Sequence, residues 1–278
     1  GVYGTLTYAT PLIGGYIADR FIGFYAALWF GLSFILLGHL SIFSTQFSPF
    51  GELGLFLGLG FVVTGSGFYK SNMNALIGNL YDKENILKDA AYTIFYVYQN
   101  AGGFLSPLIC GYVGLKVGWS YGFSLAGLAG ICALITLYLS GKFKREVHSE
   151  NSLSVNFQWK TTLGIVMGGG ILAILLAFVI FYGEDTLDFL LGVSVLYLGI
   201  YMKYVFSVPK DQRKNMMIIF FGILAVALSG ALIGHSETVF TLLMDRNVDA
   251  HLFSFQVPVT FIQAVDPLTI VIFGPVLA

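Results

Sequence analysis

The sequence predicts an all-α protein that crosses a membrane many times. Of its 278 residues, 56% are hydrophobic and 10% are charged, whereas a soluble domain carries about 25% charged residues. The mean hydropathy is +0.81. Apolar runs of about 20 residues are long enough to span a bilayer as helices. Nine such runs follow one another along the chain, at roughly 1–19, 22–43, 53–80, 89–112, 119–141, 161–182, 187–206, 216–244 and 255–278.

The composition also excludes several classes of function. A net charge of −1 gives no reason to expect nucleic acid as a partner. Cys110 and Cys132 both lie in apolar runs, so we expect core packing rather than a disulfide framework or a metal site. The sequence has no metal-ligand cluster, nucleophile triad or phosphate-binding loop. It therefore predicts no catalytic residues, no enzyme activity and no cofactor.

Basic residues predict how the helices are oriented, because lysine and arginine concentrate in the cytoplasmic loops of membrane proteins. The loops between the predicted helices fall alternately into two sets, and the first set begins with the loop after the first helix. The second set holds only two basic residues, Lys116 and Arg246. We therefore place the first set in the cytoplasm. It contains Arg20, Lys83, Lys88, Lys142, Lys144, Arg145, Lys160, Lys210, Arg213 and Lys214, with Lys203 at an adjoining helix end.

Lys70 is the residue that most strongly indicates a function. It lies within FVVTGSGFYKSNMNALIGNLY and is the only charged residue between Glu52 and Asp82. A charge inside the membrane costs roughly 3 kcal/mol or more, and such residues usually serve a function. We expect Lys70 to face a carboxylate, a polar substrate or a water-filled cavity. The alternative is a lysine whose side chain reaches the membrane interface.

Motifs in five of the segments resemble one transporter family. Gly15, Asp19, Arg20 and Gly23 resemble the cytoplasmic loop motif of major facilitator transporters, where an acid–base pair can act as a conformational latch. Ordinary flanking charges at a helix end are the alternative. Five motifs follow one another along the chain and resemble motifs of a single family. They are GGYIADRFIG, GSGFYKSNMNALIGNLY, DAAYTIFYVYQNAGGFLSPLICGYVG, DRNVD and FIQAVDPLTIVIFGPVLA. Over nearly its whole length the chain resembles the proton-dependent oligopeptide transporter (POT/PTR) family.

The resemblance implies a major facilitator fold of two six-helix bundles plus two inserted helices, with only part of it present in this chain. Residues 1–141 correspond to helices two to six of the N-terminal bundle, and 142–215 to a cytoplasmic linker with the inserted helix pair. Residues 216–278 correspond to helices seven and eight, the start of the C-terminal bundle. Since Gly1 and Ala278 lie within apolar runs, we expect the chain to be part of a larger protein.

The implied function is proton-coupled symport of di- and tripeptides into the cell by alternating access. The partners would be short peptides, protons and membrane lipids, and the location the inner (plasma) membrane. Two other functions stay open. One is major facilitator transport of another small solute, such as nitrate, a drug or an amino-acid derivative. The other is a non-transporting membrane receptor or scaffold.

The resemblance also assigns residues to a substrate site. Lys70 matches the family's fourth-helix lysine, Asn100 its fifth-helix asparagine and Tyr8 a second-helix pocket tyrosine. Tyr92, Tyr96 and Asn100 recur every four residues, so they share one helix face, and we add Tyr96 to the site. The alternatives are an interhelical hydrogen bond for Asn100 and core packing for Tyr8.

The seventh family helix departs from the family pattern. The family usually has a Glu-Gln pair where this chain has Gly234 and His235. Glu237 lies one turn beyond Gly234 on the same face, and it is our candidate for the missing carboxylate in proton coupling or gating. Histidine is the side chain that ordinarily titrates near neutral pH, and His235 is the candidate partner of Glu237. A structural role for both residues is the alternative.

Asp266 precedes Pro267, at a position where many family members carry asparagine. An aspartate there would attract the amino terminus of a peptide. A buried carboxyl could instead be protonated and serve as a second proton site. The remaining alternative is a cap or kink residue beside Pro267.

Overall fold

The computed structural model shows a chain that is almost entirely helical, which confirms the all-α membrane fold. It describes residues 2–47, 51–81, 87–147, 159–248, 251–252 and 255–277. Within these ranges, the side chains of 141–147, 184–187, 189–191, 193, 211, 233–238, 251–256 and 275–277 are not described.

Two compact units make up the chain. The first contains Gly1–Gly183 and Ala264–Ala278, and the second contains Glu184–Gln263. These units do not test the predicted boundaries near 141 and 215, which stay a prediction.

The first unit holds eight α-helices. Pairs of them are joined by π-helical turns at Ala18–Ile22 and Pro107–Gly111. The helices are α1 (Val2–Ile17), α2 (Gly23–Ser44), α3 (Gly51–Leu80), α4 (Leu87–Ser106), α5 (Tyr112–Lys116), α6 (Trp119–Val147), α7 (Trp159–Phe181) and, from the end of the chain, α10 (Val265–Leu277).

Five helical stretches of the described residues are long and apolar enough to cross a membrane. The first has 46 residues, which is about 69 Å at 1.5 Å per residue and more than twice the hydrocarbon thickness of a bilayer. It therefore accounts for two of the predicted spans. Helix α4 does not qualify by hydropathy, because Tyr96, Gln99 and Asn100 interrupt its apolar sequence. The five stretches are Val2–Phe47, Gly51–Leu80, Trp119–Ser140, Trp159–Phe181 and Gln212–Leu232.

The chain reverses direction between α1 and α2 within a few residues. The π-helical turn Ala18–Ile22 follows α1 directly, and Gly23 then has φ 76°. That backbone conformation is readily adopted only by glycine. The sequence predicted the break at residues 20–21, which lie inside this turn together with Asp19.

Helix α3 lies at the centre of the first unit and packs against α1, α2 and α7. Its glycines let neighbouring backbones approach closely, as small residues do in membrane helix pairs. A Cβ added to Gly65 would lie 2.5 Å from the Gly31 carbonyl oxygen of α2, and one added to Gly58 would lie 2.7 Å from that of Gly38. The order of these contacts makes α2 and α3 antiparallel.

Two further helix pairs complete this unit. Helix α6 packs antiparallel to α2, and the Tyr25 hydroxyl of α2 donates a 2.7 Å hydrogen bond to the Leu137 carbonyl of α6. Helix α4 packs against α10.

The second unit contains α8 (Glu184–Ser207) and α9 (Lys210–Asn247). The Tyr201 hydroxyl of α8 donates to the Met216 carbonyl of α9 at 3.1 Å, and the Tyr201 ring stacks on Phe220. Two short antiparallel strands follow, β1 (His251–Leu252) and β2 (Phe255–Gln256).

The helix predicted over 255–278 begins later than expected. Strand β2 occupies its first residues, and a 3₁₀-helix, Val259–Ala264, leads into α10. Pro258 explains the delay, because it lacks a backbone N–H and disfavours a helical conformation in the residue before it.

Candidate functional site

Lys70 and Tyr8 meet on the surface of the first unit. The Lys70 ammonium lies over the Tyr8 ring, with Nζ 5.0 Å from the ring centre. Both side chains are exposed, and Tyr8 retains 81% of its accessible surface. Lys70 is ten residues from the end of α3 at Leu80. That is about 15 Å along the axis, or half the hydrocarbon thickness.

The packing of α1 against α3 brings these two side chains together. A Cβ added to Gly14 would collide with the Gly67 backbone, and one added to Gly67 would lie 2.8 Å from the Thr10 Cβ. Gly67 is one turn before Lys70, and Thr10 is two residues after Tyr8. The close approach of the two backbones therefore fixes the position of both site residues.

Buried polar groups bind α1 to α3 at the same crossing. The Thr10 hydroxyl has one proton and two carbonyl acceptors, Leu6 of its own helix at 3.0 Å and Val63 of α3 at 3.1 Å. The Asn72 amide donates to the Phe68 carbonyl at 2.7 Å and to the Gly14 carbonyl at 3.4 Å. Asn72 is only 1% exposed, so these bonds satisfy donors that cannot reach water.

Thr10 and Asn72 were not among the residues predicted to matter. A signal in the sequence could have identified this crossing. Small residues lie four positions apart on each helix, Thr10 with Gly14 and Gly67 with Ser71, and this spacing is typical of close membrane helix pairs.

The face of α4 carries the predicted Tyr96 and Asn100. The Asn100 amide donates a 2.8 Å hydrogen bond to the Tyr96 carbonyl within the same helix. Tyr96 is exposed and Asn100 is half-buried. Tyr92, one turn earlier, bridges to α3, where its hydroxyl donates to the Asn74 carbonyl at 3.2 Å. Tyr96 is therefore the most exposed of the three residues on this face, at 53%.

Helix α10 places Asp266 beside the end of α4. A Cβ added to Gly103 of α4 would lie 3.4 Å from the Pro267 side chain, and one added to Gly274 would lie 3.2 Å from Val97. These contacts make the two helices antiparallel and bring the start of α10 to the level of Gly103. Asp266 is exposed, so a carboxylate is available within one turn of Asn100 along the pair.

Asp19 and Arg20 lie in the π-helical turn between α1 and α2, and both are exposed. The Arg20 guanidinium lies 3.4 Å from the Tyr16 hydroxyl, to which it donates. This contact anchors the arginine to the preceding turn of its own helix.

Glu237 and His235 lie on α9 in the second unit, and their side chains are outside the described residues. The five predicted substrate-site residues all lie in the first unit: Lys70, Tyr8, Tyr96, Asn100 and Asp266. The structure brings Lys70 to Tyr8, and it brings the Asn100 helix to the Asp266 helix. Among the described residues, no three His, Cys, Asp or Glu side chains are grouped in a way that could hold a metal ion.

Comparisons with known proteins agree on one family. A family profile described as POT family matches residues 25–278. The chain is 25% identical to "Peptide transporter YePEPT" of Yersinia enterocolitica and 28% identical to "Di-/tripeptide transporter" of Lactococcus lactis, with 99% of this chain aligned to each. It covers 57% and 58% of those relatives, so it spans less than two thirds of their length.

Solved structures give the same result. A crystal structure of a peptide transporter POT in complex with alafosfalin matches 99% of the chain at 26% identity and a TM-score of 0.74, and the chain covers 57% of it. A POT family transporter in complex with 5-aminolevulinic acid matches 99% at 25% identity and a TM-score of 0.75, and 58% of it is covered.

Proposed function

This chain belongs to the POT family, an integral membrane family of transporters rather than enzymes, and from this premise we propose that its protein is a proton-coupled symporter of di- and tripeptides. The observation that carries the proposal is the Lys70 ammonium, which is exposed, lies over the Tyr8 ring and is ten residues from the end of the apolar helix α3. A cation at that depth of the membrane is costly unless it faces a water-filled cavity, where it can bind an anionic or polar ligand.

A short peptide offers matching chemistry. Its carboxylate can accept hydrogen bonds from the Lys70 ammonium, whose three donors suit a carboxylate. The exposed Tyr8 ring adds an apolar wall with one hydroxyl, and its cation–π contact restrains the lysine. These groups recognise the carboxyl end and leave the side chains of the peptide free to vary.

The α4–α10 pair supplies groups suited to the rest of a peptide. Asn100 offers an amide oxygen as an acceptor in addition to the N–H already bonded to Tyr96. Asp266 is an exposed carboxylate that would attract the ammonium group of a peptide. Tyr96 lies one turn from Asn100 and offers a further hydroxyl.

Proton coupling requires a carboxyl group whose charge differs between the two conformations of the transporter. We propose Glu237, with His235, as the main candidate and Asp266 as the second, and we propose Asp19 and Arg20 as cytoplasmic gate residues. Protonation would remove the attraction of a carboxylate for a neighbouring cation, and it would thereby shift the balance between the outward-open and inward-open states.

A second cargo is a small amino acid derivative without a peptide bond. One of the similar transporters was solved with 5-aminolevulinic acid, which carries an ammonium and a carboxylate as a dipeptide does. Charge recognition by Lys70 and Asp266 would accept it, whereas recognition of a peptide bond by Asn100 would not.

The test is uptake by the full-length protein in proteoliposomes. An inward proton gradient should drive accumulation of a labelled dipeptide, and a protonophore should abolish it. Unlabelled di- and tripeptides should compete, while nitrate should not. Competition by 5-aminolevulinic acid but not by peptides would show that the cargo is an amino acid derivative. The absence of any flux would favour a receptor or scaffold.

A further inference from the structure

An apolar groove runs along the first unit between α1, α3 and α7. Its volume is about 440 Å³, which is within the usual range for small-molecule sites. Ile13, Ile17 and Phe21 form one wall, Phe68 forms the floor, and Gly164 and Gly168 of α7 form the other wall. The two glycines are exposed, and a Cβ added to either would meet no atom within 4 Å.

The groove lies within helices that span the membrane. Val2–Phe47, Gly51–Leu80 and Trp159–Phe181 all qualify as spans. Apolar side chains and glycine backbone therefore face hydrocarbon along this surface, where Gly164 and Gly168 of α7 leave the groove open.

The cytoplasmic mouth of the groove carries net positive charge. Phe21 and Thr161 line that end, and they are directly preceded by Arg20 and Lys160, both exposed. Asp19 is the one acidic residue beside them in the described α1–α2 turn, so the local sum of these three charges is +1. Trp159 is 66% exposed at the start of α7, as is typical of aromatic residues at a membrane interface.

We propose that this groove binds one acyl chain of an anionic phospholipid, whose phosphate is held by Arg20 and Lys160. An acyl chain is the apolar group that is always present beside a spanning helix, and basic residues at the cytoplasmic face attract anionic headgroups. The bound lipid fills the space between α7 and α1. The proposal rests on the position of these helices in the membrane and not on peptide transport.

The two exposed glycines provide a direct test. The Gly168→Leu variant places a side chain in the groove, with a Cβ that meets no atom within 4 Å, and Gly164→Leu is a second variant of the same kind. Gly170→Leu is the matched control, because a Cβ added to Gly170 also meets no atom within 4 Å, but Gly170 does not line the groove.

The measurement is native mass spectrometry of the purified full-length protein with phosphatidylglycerol or phosphatidylethanolamine. Wild type and Gly170→Leu should retain one phosphatidylglycerol through mild delipidation. Gly168→Leu should retain about tenfold less, the loss expected when two methylene groups lose their contacts. The double variant R20Q/K160Q should lose the preference for phosphatidylglycerol over phosphatidylethanolamine.

Three outcomes would overturn the proposal. One is equal lipid retention by Gly168→Leu, Gly164→Leu and Gly170→Leu. Another is an unchanged preference in R20Q/K160Q. The third is the absence of any retained lipid in wild type, as expected if another helix of the full-length protein occupies the groove.

Discussion

Removing the Lys70 ammonium should reduce dipeptide binding far more than removing the Tyr8 ring beneath it. The contact between them spans 5.0 Å and is exposed to solvent. A cation–π contact of this kind contributes about 0.5–1 kcal/mol, which is a factor of about two to five in affinity. A hydrogen bond to a charged group contributes about 1.5–3 kcal/mol, a factor of about ten to 150.

The variants are Lys70→Ala and Tyr8→Leu, with Lys70→Arg and Tyr8→Phe as matched controls. Tyr8→Phe keeps the ring face on which the ammonium lies, so it should lose less than Tyr8→Leu. Lys70→Arg keeps the charge in a larger head group and should recover part of the binding.

The assay compares a dipeptide with its C-terminal amide as competitors of uptake in proteoliposomes. The amide lacks the carboxylate that we assign to Lys70. Wild type should prefer the free dipeptide by about ten- to 150-fold, and Lys70→Ala should bind both equally weakly. If Lys70→Ala still prefers the free carboxylate, Lys70 does not bind that end of the peptide and the reasoning fails.

The remaining predictions concern the crossing that positions the site. Gly67→Leu should lower the stability of the folded protein by about 1–3 kcal/mol through overpacking, because its side chain meets Thr10. The measurement is a thermal-shift assay in detergent. Gly130→Leu is the control, because a Cβ added to Gly130 meets no atom within 4 Å. Asn72→Leu should cost about 0.6–2 kcal/mol through its lost interhelical bond, whereas Asn79→Leu, exposed and bonded within its own helix, should change the melting temperature little. Equal shifts for the two asparagine variants would contradict the role given to Asn72.

Hydropathy and charge predicted the fold class and the order of the helices, because a membrane span needs about 20 apolar residues regardless of how helices pack. The same criterion does not predict where the chain turns back between two apolar helices. Ala18–Ile22 is such a turn, and the direction in which the chain leaves it depends on Gly23 adopting φ 76°. Nor does hydropathy register Pro258 as a local barrier to helix within the apolar run at 255–278.

The candidate site was only partly predictable. The cost of a charge inside the membrane identified Lys70 without any structural knowledge. The family resemblance predicted Lys70 and Tyr8 in one substrate site, but their direct contact depends on the place at which α1 crosses α3. Periodicity placed Tyr92, Tyr96 and Asn100 on one face, but the bond from Tyr92 to Asn74 of α3 is a tertiary contact.

The position of Lys70 links the stability of the first unit to its proposed function. Helix α3 packs through glycines against α1, α2 and α7, and one of these glycines, Gly67, is one turn from the lysine. A side chain at Gly67 would push α1 away by its contact with Thr10, and Tyr8 would move with α1. Gly67→Leu should therefore weaken peptide binding even in molecules that remain folded. If Lys70 binds peptide independently of α1, the folded fraction of Gly67→Leu should instead bind the peptide as tightly as wild type does.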